Sequence, residues 1–201
     1  VFLREIKLWQ QYNFNYINTG YIDLAGRKLK AVSGWANYWP DAKLGTDDYD
    51  FSALPAGKKD ENGKYVGESY DAYFWGATGF NGKDSYYLNL YFGQENIYQG
   101  FVKRNEAMSV RCVKDEASEI SGIGDSSSFA SSDKSLFLSS LPKETFTDSR
   151  DGKIYGIVTI GYQTCMSENW NFQAANSYCY KDNPDNCATY GRLYTWSAAM
   201  D

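Results

Sequence analysis

The sequence predicts short strands in small antiparallel sheets, one or two helices and long loops. Three observations predict them: near-helical spacing of apolar residues at the start, alternation of outward and inward residues further on, and clusters of Gly, Pro, Asn and Asp between these segments. With 201 residues the chain is long enough to bury a core, either as one large domain or as two small ones.

The first predicted element is one amphipathic helix within residues 1–30. Residues 33–79 follow it, where the turn-forming stretches GWANYWPD, GTDDYD, LPAG and DENGK predict long ordered loops. The apolar positions of the helix are Leu3, Ile6, Trp9 and Phe14.

Strands are predicted next, beginning with the alternating residues of 86–92. The segments IYQGFVK and AMSVRCVKD follow, so the simplest interpretation is a meander of three short strands. Residues 116–145 are rich in Ser and predict a linker. After a turn at Asp151 and Gly152, residues 154–160 alternate again and predict another strand, and the chain stops within a segment typical of a helix.

Composition excludes several classes of function. The net charge of −5 and the lack of a Lys/Arg cluster argue against nucleic acid or an anionic membrane as partner. The sequence has no histidine, which excludes Ser-His, Cys-His and His-metal sites. No apolar run is long enough to span a membrane, and the N-terminus lacks the pattern of a signal peptide. We expect either a removed leader or an interior piece of a longer chain.

Two parts of the sequence resemble parts of one known domain. The segments GKIYGIVTIGYQTCMSENWNF and NSYCYKDNPDNCATYGRLYTWSAAMD, within residues 146–201, resemble the first part of the Fibrobacter succinogenes major paralogous domain. The segments GRKLKAVSGW, GTDDYDFSALPAG, YFWGAT and SVRCVKD, within residues 25–115, resemble its last part. The resemblance implies a C-type-lectin-like α+β fold with long loops at one end, and the family has no well-established activity.

The order of these parts predicts the domain organisation. Residues 1–115 are expected to be the C-terminal part of one copy, 116–145 the linker, and 146–201 the N-terminal part of a second copy. A tandem array explains this order, and a circular permutation is the rival explanation. If the domain is incomplete or permuted, the strand over 154–160 is expected to pair with residues 107–113.

The four cysteines have different expected roles. Cys179 and Cys187 flank a polar turn, which favours a disulfide over free thiols, and no His or CxxC pattern supports a metal site. The resemblance gives Cys112 a partner in a missing stretch and places Cys165 where the family has Trp, so Cys165 is expected to be small, buried and unpaired.

Aromatic residues supply the candidate ligand site. Flat rings on an exposed face stack on the apolar faces of sugar rings, so the specific functional hypothesis for these residues is carbohydrate binding. Trp75 lies in a motif of the resembled family, where a core role is favoured, whereas Tyr38 and Trp39 lie outside it and are the better ligand candidates. The candidate ligand residues are Tyr38, Trp39, Tyr73 and Trp75.

Charged residues offer weaker hypotheses. The acidic turns GTDDYD and KDNPDN could bind calcium, but hydrogen bonding to their own backbone is favoured. A glycosidase pair of carboxylates stays open because the separation of the groups is unknown. Arg111 and Arg192 are expected to satisfy backbone carbonyls rather than to bind an anion.

Together these observations predict a non-catalytic module of a secreted or cell-surface bacterial protein, such as a lipoprotein, used in adhesion or glycan recognition. The expected partners are a polysaccharide or cell-surface glycan and neighbouring repeats of the same chain. No catalytic residue, metal or cofactor is expected. The alternative is an accessory or hydrolytic domain of a polysaccharide-degrading enzyme that uses paired carboxylates.

Overall fold

The computed structural model describes residues 20–22, 25–38, 44–114, 144–160 and 163–201. Strands dominate this part of the chain, with a few short helices between them. None of the helices in these ranges is long and apolar enough to cross a membrane.

The elements follow one another as short segments. The strands are β1 Gly20–Ile22, β2 Ala56–Lys59, β3 Tyr65–Glu68, β4 Asp71–Gly79, β5 Asp84–Tyr91, β6 Ile97–Lys103, β7 Ala107–Met108, β8 Thr145–Thr147, β9 Ile154–Ile160, β10 Gln163–Met166, β11 Ser177–Tyr178 and β12 Leu193–Thr195. The helices are α1 Ala25–Leu29, α2 Pro184–Tyr190 and α3 Trp196–Met200, and a 3-10 turn covers Tyr180–Asp182.

A nine-stranded sheet forms the centre of the molecule. Its strand order is β1-β6-β5-β4-β2-β7-β12-β11, with β3 paired to β2. Every pairing is antiparallel except that of β2 with β4. The sheet is therefore larger than the small sheets predicted, and residues from the last sixty positions of the chain complete it.

A second sheet has three strands in the order β10-β9-β8. An isolated antiparallel bridge between Val113 and Cys165 connects this second sheet to the residues that follow β7. The predicted strand over residues 154–160 is confirmed as β9. Its predicted pairing with residues 107–113 is wrong, because β9 pairs locally with β8 and β10 while β7 pairs with β2 and β12.

Two other predictions change in the structure. The three-stranded meander is confirmed for β5 and β6, but its third member, β7, leaves the hairpin and pairs elsewhere. The segment 33–79 is not loop alone, since it contains β2, β3 and β4. Within 1–30 the structure describes α1 and also β1, which is a strand where the sequence predicted helix, while the four apolar positions of that helix lie outside the described residues. The predicted linker also lies outside them apart from Glu144 and Thr145.

Alternation along β4 and β5 explains how the sheet buries one face. Phe74 lies opposite Leu88, and Ala72 lies opposite Leu90, so their side chains share one face. All four are buried in one core cluster. The same cluster also contains Tyr155, Trp170 and Tyr194. The two parts of the chain before residue 115 and after residue 143 therefore share one core.

The last helices have clear local causes. The Asn183 side chain accepts a hydrogen bond from the Asp185 backbone N–H, and Pro184 occupies the first turn of α2. Gly191 ends this helix with a φ of 75°, a value that favours glycine. The Thr195 side chain begins α3 in the same way as Asn183 begins α2, by accepting from the Ala198 N–H. The prediction of a helix at the end of the chain is confirmed.

Candidate functional site

The face of the central sheet opposite Phe74 and Leu88 carries polar and aromatic side chains. Tyr73 lies opposite Asn89 on β5, and Asn89 lies opposite Tyr98 on β6. Side chains of directly opposed residues project to the same side, so these three form a row across three strands. We name this surface the tyrosine face, and its members are Lys58, Asp71, Tyr73, Tyr87, Asn89, Tyr98 and Glu106.

The tyrosine rings of this face lie side by side and are tilted. The ring centroids of Tyr73 and Tyr87 are 5.8 Å apart at an interplanar angle of 50°. Those of Tyr87 and Tyr98 are 6.1 Å apart at 54°. Gly100 makes room for them, because a Cβ there would lie 2.8 Å from the Tyr98 ring and 2.9 Å from the Tyr87 ring. The rings therefore line a corrugated surface rather than a flat platform.

Polar groups fill the spaces between the rings. The Asn89 side-chain amide donates a hydrogen bond of 2.9 Å to Asp71, and the Tyr73 hydroxyl also bonds to Asp71. Lys58 Nζ forms an ion pair of 2.6 Å with Glu106 and lies 5.1 Å from the centre of the Tyr73 ring. The face combines apolar ring surface with hydroxyl, amide, carboxylate and ammonium groups.

Burial sets the protonation of this face. It raises the pKa of the Asp71 carboxyl. Burial, followed by the nearby Tyr98, Glu106 and Asp71, raises the pKa of Tyr87 to about 12. The pKa of Tyr73 is also raised, first by burial and then by the Asp71 charge. Both hydroxyls are therefore protonated at neutral pH and can donate as well as accept hydrogen bonds.

The four candidate ligand residues do not lie together in the structure. Tyr73 belongs to the tyrosine face. Tyr38 is 74% exposed and lies near the exposed ring of Tyr70. Trp39 lies outside the described residues. Trp75 is 1% exposed and donates from its indole nitrogen to the Tyr194 carbonyl at 2.7 Å.

Trp75 is therefore corrected from a ligand candidate to a core residue. Its ring is covered by the chain itself, which leaves no face for a sugar. The core role was the interpretation that the sequence favoured, and the hydrogen-bond partner that decides between the two roles is 119 positions away.

The cavity beside the core face is not an alternative ligand site. That cavity has a volume of about 40 Å³, and Phe51, Phe74, Leu90, Arg111 and Cys165 are among its lining residues. Pockets that bind small molecules span roughly 300–1,000 Å³, so this one is too small.

The acidic turns form hydrogen bonds within the chain. Asp47 accepts from the backbone N–H of Ser52 at 2.6 Å and from its hydroxyl. Asp182 accepts from the Tyr65 hydroxyl at 2.6 Å. In the ranges that the structure describes, no group of three or more His, Cys, Asp or Glu side chains could hold a metal.

The two arginines satisfy groups of the protein, as expected. Arg111 is buried and donates to Asn169 Oδ1 at 2.7 Å and to the carbonyls of Phe51, Ser52 and Met166. Arg192 donates to the hydroxyl and the carbonyl of Ser177. Neither presents its guanidinium as an open anion site.

The cysteines behave as predicted in two respects. The disulfide between Cys179 and Cys187 is confirmed, and Cys165 is a buried free thiol. Cys112 is also free. It lies opposite Met166 rather than Cys165, since its carbonyl accepts from the Met166 N–H while Val113 pairs with Cys165.

Sequence reasoning found one member of the tyrosine face and missed the others. The signal for Tyr87 and Asn89 was present, because both lie on the outward side of the alternation in β5. Lys58 and Glu106 carried no signal, since they are 48 positions apart and meet only through the pairing of β2 with β4 and β7.

Comparison with known proteins finds a matching family model but no matching individual protein. The family model named Fibrobacter succinogenes major domain matches residues 4–114. No match was found among curated proteins or among solved structures. The match covers more than half of the 201 residues and includes every residue of the tyrosine face. The chain therefore belongs to the Fibrobacter succinogenes major domain family.

Proposed function

We propose that this chain is a non-catalytic module that binds carbohydrate through the tyrosine face, within a secreted or cell-surface bacterial protein. The observation that carries the proposal is the row of three half-buried tyrosines with amide and carboxylate groups set between them. Tyrosine offers apolar ring surface and a hydroxyl together, which matches the alternating C–H and O–H groups of a sugar.

Charge indicates the class of glycan. The tyrosine face holds the carboxyl groups of Asp71 and Glu106 against the single ammonium of Lys58, which Glu106 already pairs. Acidic sugars would meet carboxylates of their own sign, whereas a neutral glycan meets no such repulsion. We therefore propose a neutral glycan as the ligand.

The alternative of a hydrolytic domain has one observation in its favour. Burial raises the pKa of Asp71, as a general acid requires. Against it, Asp71 is held by Asn89 and Tyr73, and Glu106 is bound to Lys58. A glycosidase needs one carboxyl free to protonate the leaving oxygen and a second free to act as base or nucleophile. Binding without hydrolysis is the better-supported function.

We propose the same organisation that the sequence predicts. Residues 1–115 and 146–201 would derive from successive copies of the family domain, joined by the linker 116–145, with a C-type-lectin-like fold. The end of the family match at residue 114 supports this boundary. Neighbouring repeats are then the partners within the chain.

The proposal is tested by affinity electrophoresis in gels that contain neutral polysaccharides such as xylan, mannan or mixed-linkage glucan. The wild-type chain should be retarded in at least one gel, and Tyr87→Ala should bind about tenfold more weakly or worse, as expected for a central aromatic contact. Tyr86→Ala is the matched control, because Tyr86 lies on the same strand and faces the opposite side, towards Phe101.

Three results would count against the proposal. Wild-type mobility could be unchanged in every gel, or Tyr87→Ala could be retarded as strongly as the wild type. Release of reducing ends from the retained polysaccharide, lost in Asp71→Asn, would establish the hydrolytic alternative instead.

A further inference from the structure

We propose that the ligand of the tyrosine face is a linear oligosaccharide several units long, and that Tyr38, Tyr70 and Tyr91 form a second subsite for its far end. This inference rests on the proposed function. We name these three residues the distal cluster. It adds a chain-length requirement that the tyrosine face alone does not impose.

The strand β5 connects the two subsites. Tyr87, Asn89 and Tyr91 are alternate residues of this strand, so their side chains project from the same side of the sheet. At a rise of about 3.4 Å per residue, Tyr87 and Tyr91 are roughly 14 Å apart along the strand. A single sugar ring cannot reach both, but a chain of several rings can.

The distal cluster exposes aromatic surface. Tyr38 is 74% exposed, Tyr70 38% and Tyr91 37%. The ring centroids of Tyr38 and Tyr70 are 6.1 Å apart at an interplanar angle of 29°. These rings are closer to parallel than those of the tyrosine face, and they stack on each other.

Buried groups hold the distal cluster in place. The Phe92 ring is buried and packs edge-on against Tyr70 at 5.3 Å and against Tyr91 at 4.6 Å. The Phe92 N–H donates to the Tyr70 carbonyl at 2.9 Å. The fully buried ammonium of Lys30 donates to the carbonyls of Tyr91 at 3.0 Å, Phe92 at 3.3 Å and Gln94 at 2.8 Å. A subsite whose backbone is fixed in advance loses less entropy when a ligand binds.

Polar groups bridge the interval between the subsites. Asp71 lies directly opposite Tyr91 across the strand pair, and the Asn89 amide that binds Asp71 lies opposite Tyr73. The path from Tyr87 to Tyr91 therefore passes carboxylate and amide oxygens that can accept hydrogen bonds from sugar hydroxyls. Aromatic surface at each end with polar groups between them is the arrangement that a linear glycan would match.

The test is isothermal titration with xylose and β-1,4-glucose oligomers of one to six units. For the oligomer that binds, wild-type affinity should rise about tenfold or more between two and six units as the distal cluster becomes occupied. Tyr70→Ala and Tyr38→Ala should remove most of this gain and leave the affinity for two units unchanged. Tyr86→Ala should keep the full gain.

Failure of the inference is distinct from failure of the proposed function. Equal affinity for all lengths, or an equal loss at every length in Tyr70→Ala, would overturn the second subsite while glycan binding stands. If no oligomer binds at any length, the proposed function fails and the second subsite fails with it. Tyr38 is the most exposed ring, so its replacement tests the subsite without disturbing the core.

Discussion

The tyrosine face and the junction between residues 25–114 and 144–201 contain the same kinds of side chain, but these side chains differ in how far they are buried. At the junction, Arg111 and Asn169 are buried and form several hydrogen bonds each within the protein. Trp75 is covered in the same way and donates to Tyr194. On the tyrosine face, Tyr73 and Tyr87 are only half-buried.

This contrast teaches which aromatic and charged residues are available for function. A polar side chain whose hydrogen bonds are all made inside the fold holds the fold together, and breaking it leaves buried groups unsatisfied. A tyrosine with exposed surface and a protonated hydroxyl can offer both to a ligand. Replacements at the junction should therefore reduce stability, and replacements on the tyrosine face should reduce binding.

The largest effect is expected at the junction, for Arg111→Met. Methionine fills much of the space but leaves the carbonyls of Ser52, Phe51 and Met166 without their donor. Unsatisfied buried groups cost about 1–3 kcal/mol each, so the free energy of unfolding should fall by about 3 kcal/mol or more. Urea unfolding measures the change. Arg27→Met is the control because Arg27 is exposed; an equal loss there would break the comparison.

A smaller loss is expected when the disulfide is removed. Cys179 and Cys187 are separated by 8 positions, and the entropy of closing such a loop predicts about 2.5 kcal/mol of stabilisation. The double replacement by Ser should lower the unfolding free energy by this amount, and reduction of the wild type should match it. Cys112→Ser is the control, since Cys112 is a free thiol. Unchanged stability of the double variant would show that the cross-link does not stabilise this end of the junction.

Acid should weaken the junction through Asp148. This carboxylate is buried, and hydrogen bonds from Arg150 and Trp170 lower its pKa to about 2 from 3.8. A lowered pKa stabilises the fold above pH 4, and this contribution, about 2 kcal/mol, is lost as the pH falls towards 2. Trp170 connects Asp148 to the junction, because its backbone N–H donates to the Val110 carbonyl.

The pH dependence is measured by urea unfolding of the wild type and Asp148→Asn between pH 2 and 5. The variant should be less stable at pH 5 and should converge with the wild type at pH 2. Asp151→Asn, in the same turn and exposed, is the matched control. A constant difference between Asp148→Asn and the wild type at all pH values would contradict the assignment.

Local patterns predicted the parts of this fold that local contacts decide. Alternation in 154–160 and 86–92 identified β9 and β5, and the polar turn between Cys179 and Cys187 indicated their disulfide. The pairing of β7 could not be predicted in the same way. It has two residues, no alternation, and partners near Lys59 and Tyr194 that are far apart in sequence.

The same limit applies to the candidate site. Tyr73 and Trp75 look equivalent in the sequence because they are alternate residues of one strand. They differ because β12 and α3 bring Tyr194 and Trp196 over one end of that strand, where the Trp196 indole donates to the Gly76 carbonyl. Only the long-range packing determines which ring is covered and which stays at the surface.

The most direct test of this account measures unfolding free energy and glycan affinity together for Tyr87→Ala and Arg111→Met. The account predicts that Tyr87→Ala loses binding about tenfold while it remains folded and loses less unfolding free energy than Arg111→Met does. Arg111→Met should lose about 3 kcal/mol of stability and, where still folded, keep its affinity. Wild-type binding by Tyr87→Ala, or a loss of binding by folded Arg111→Met as large as that of Tyr87→Ala, would contradict it.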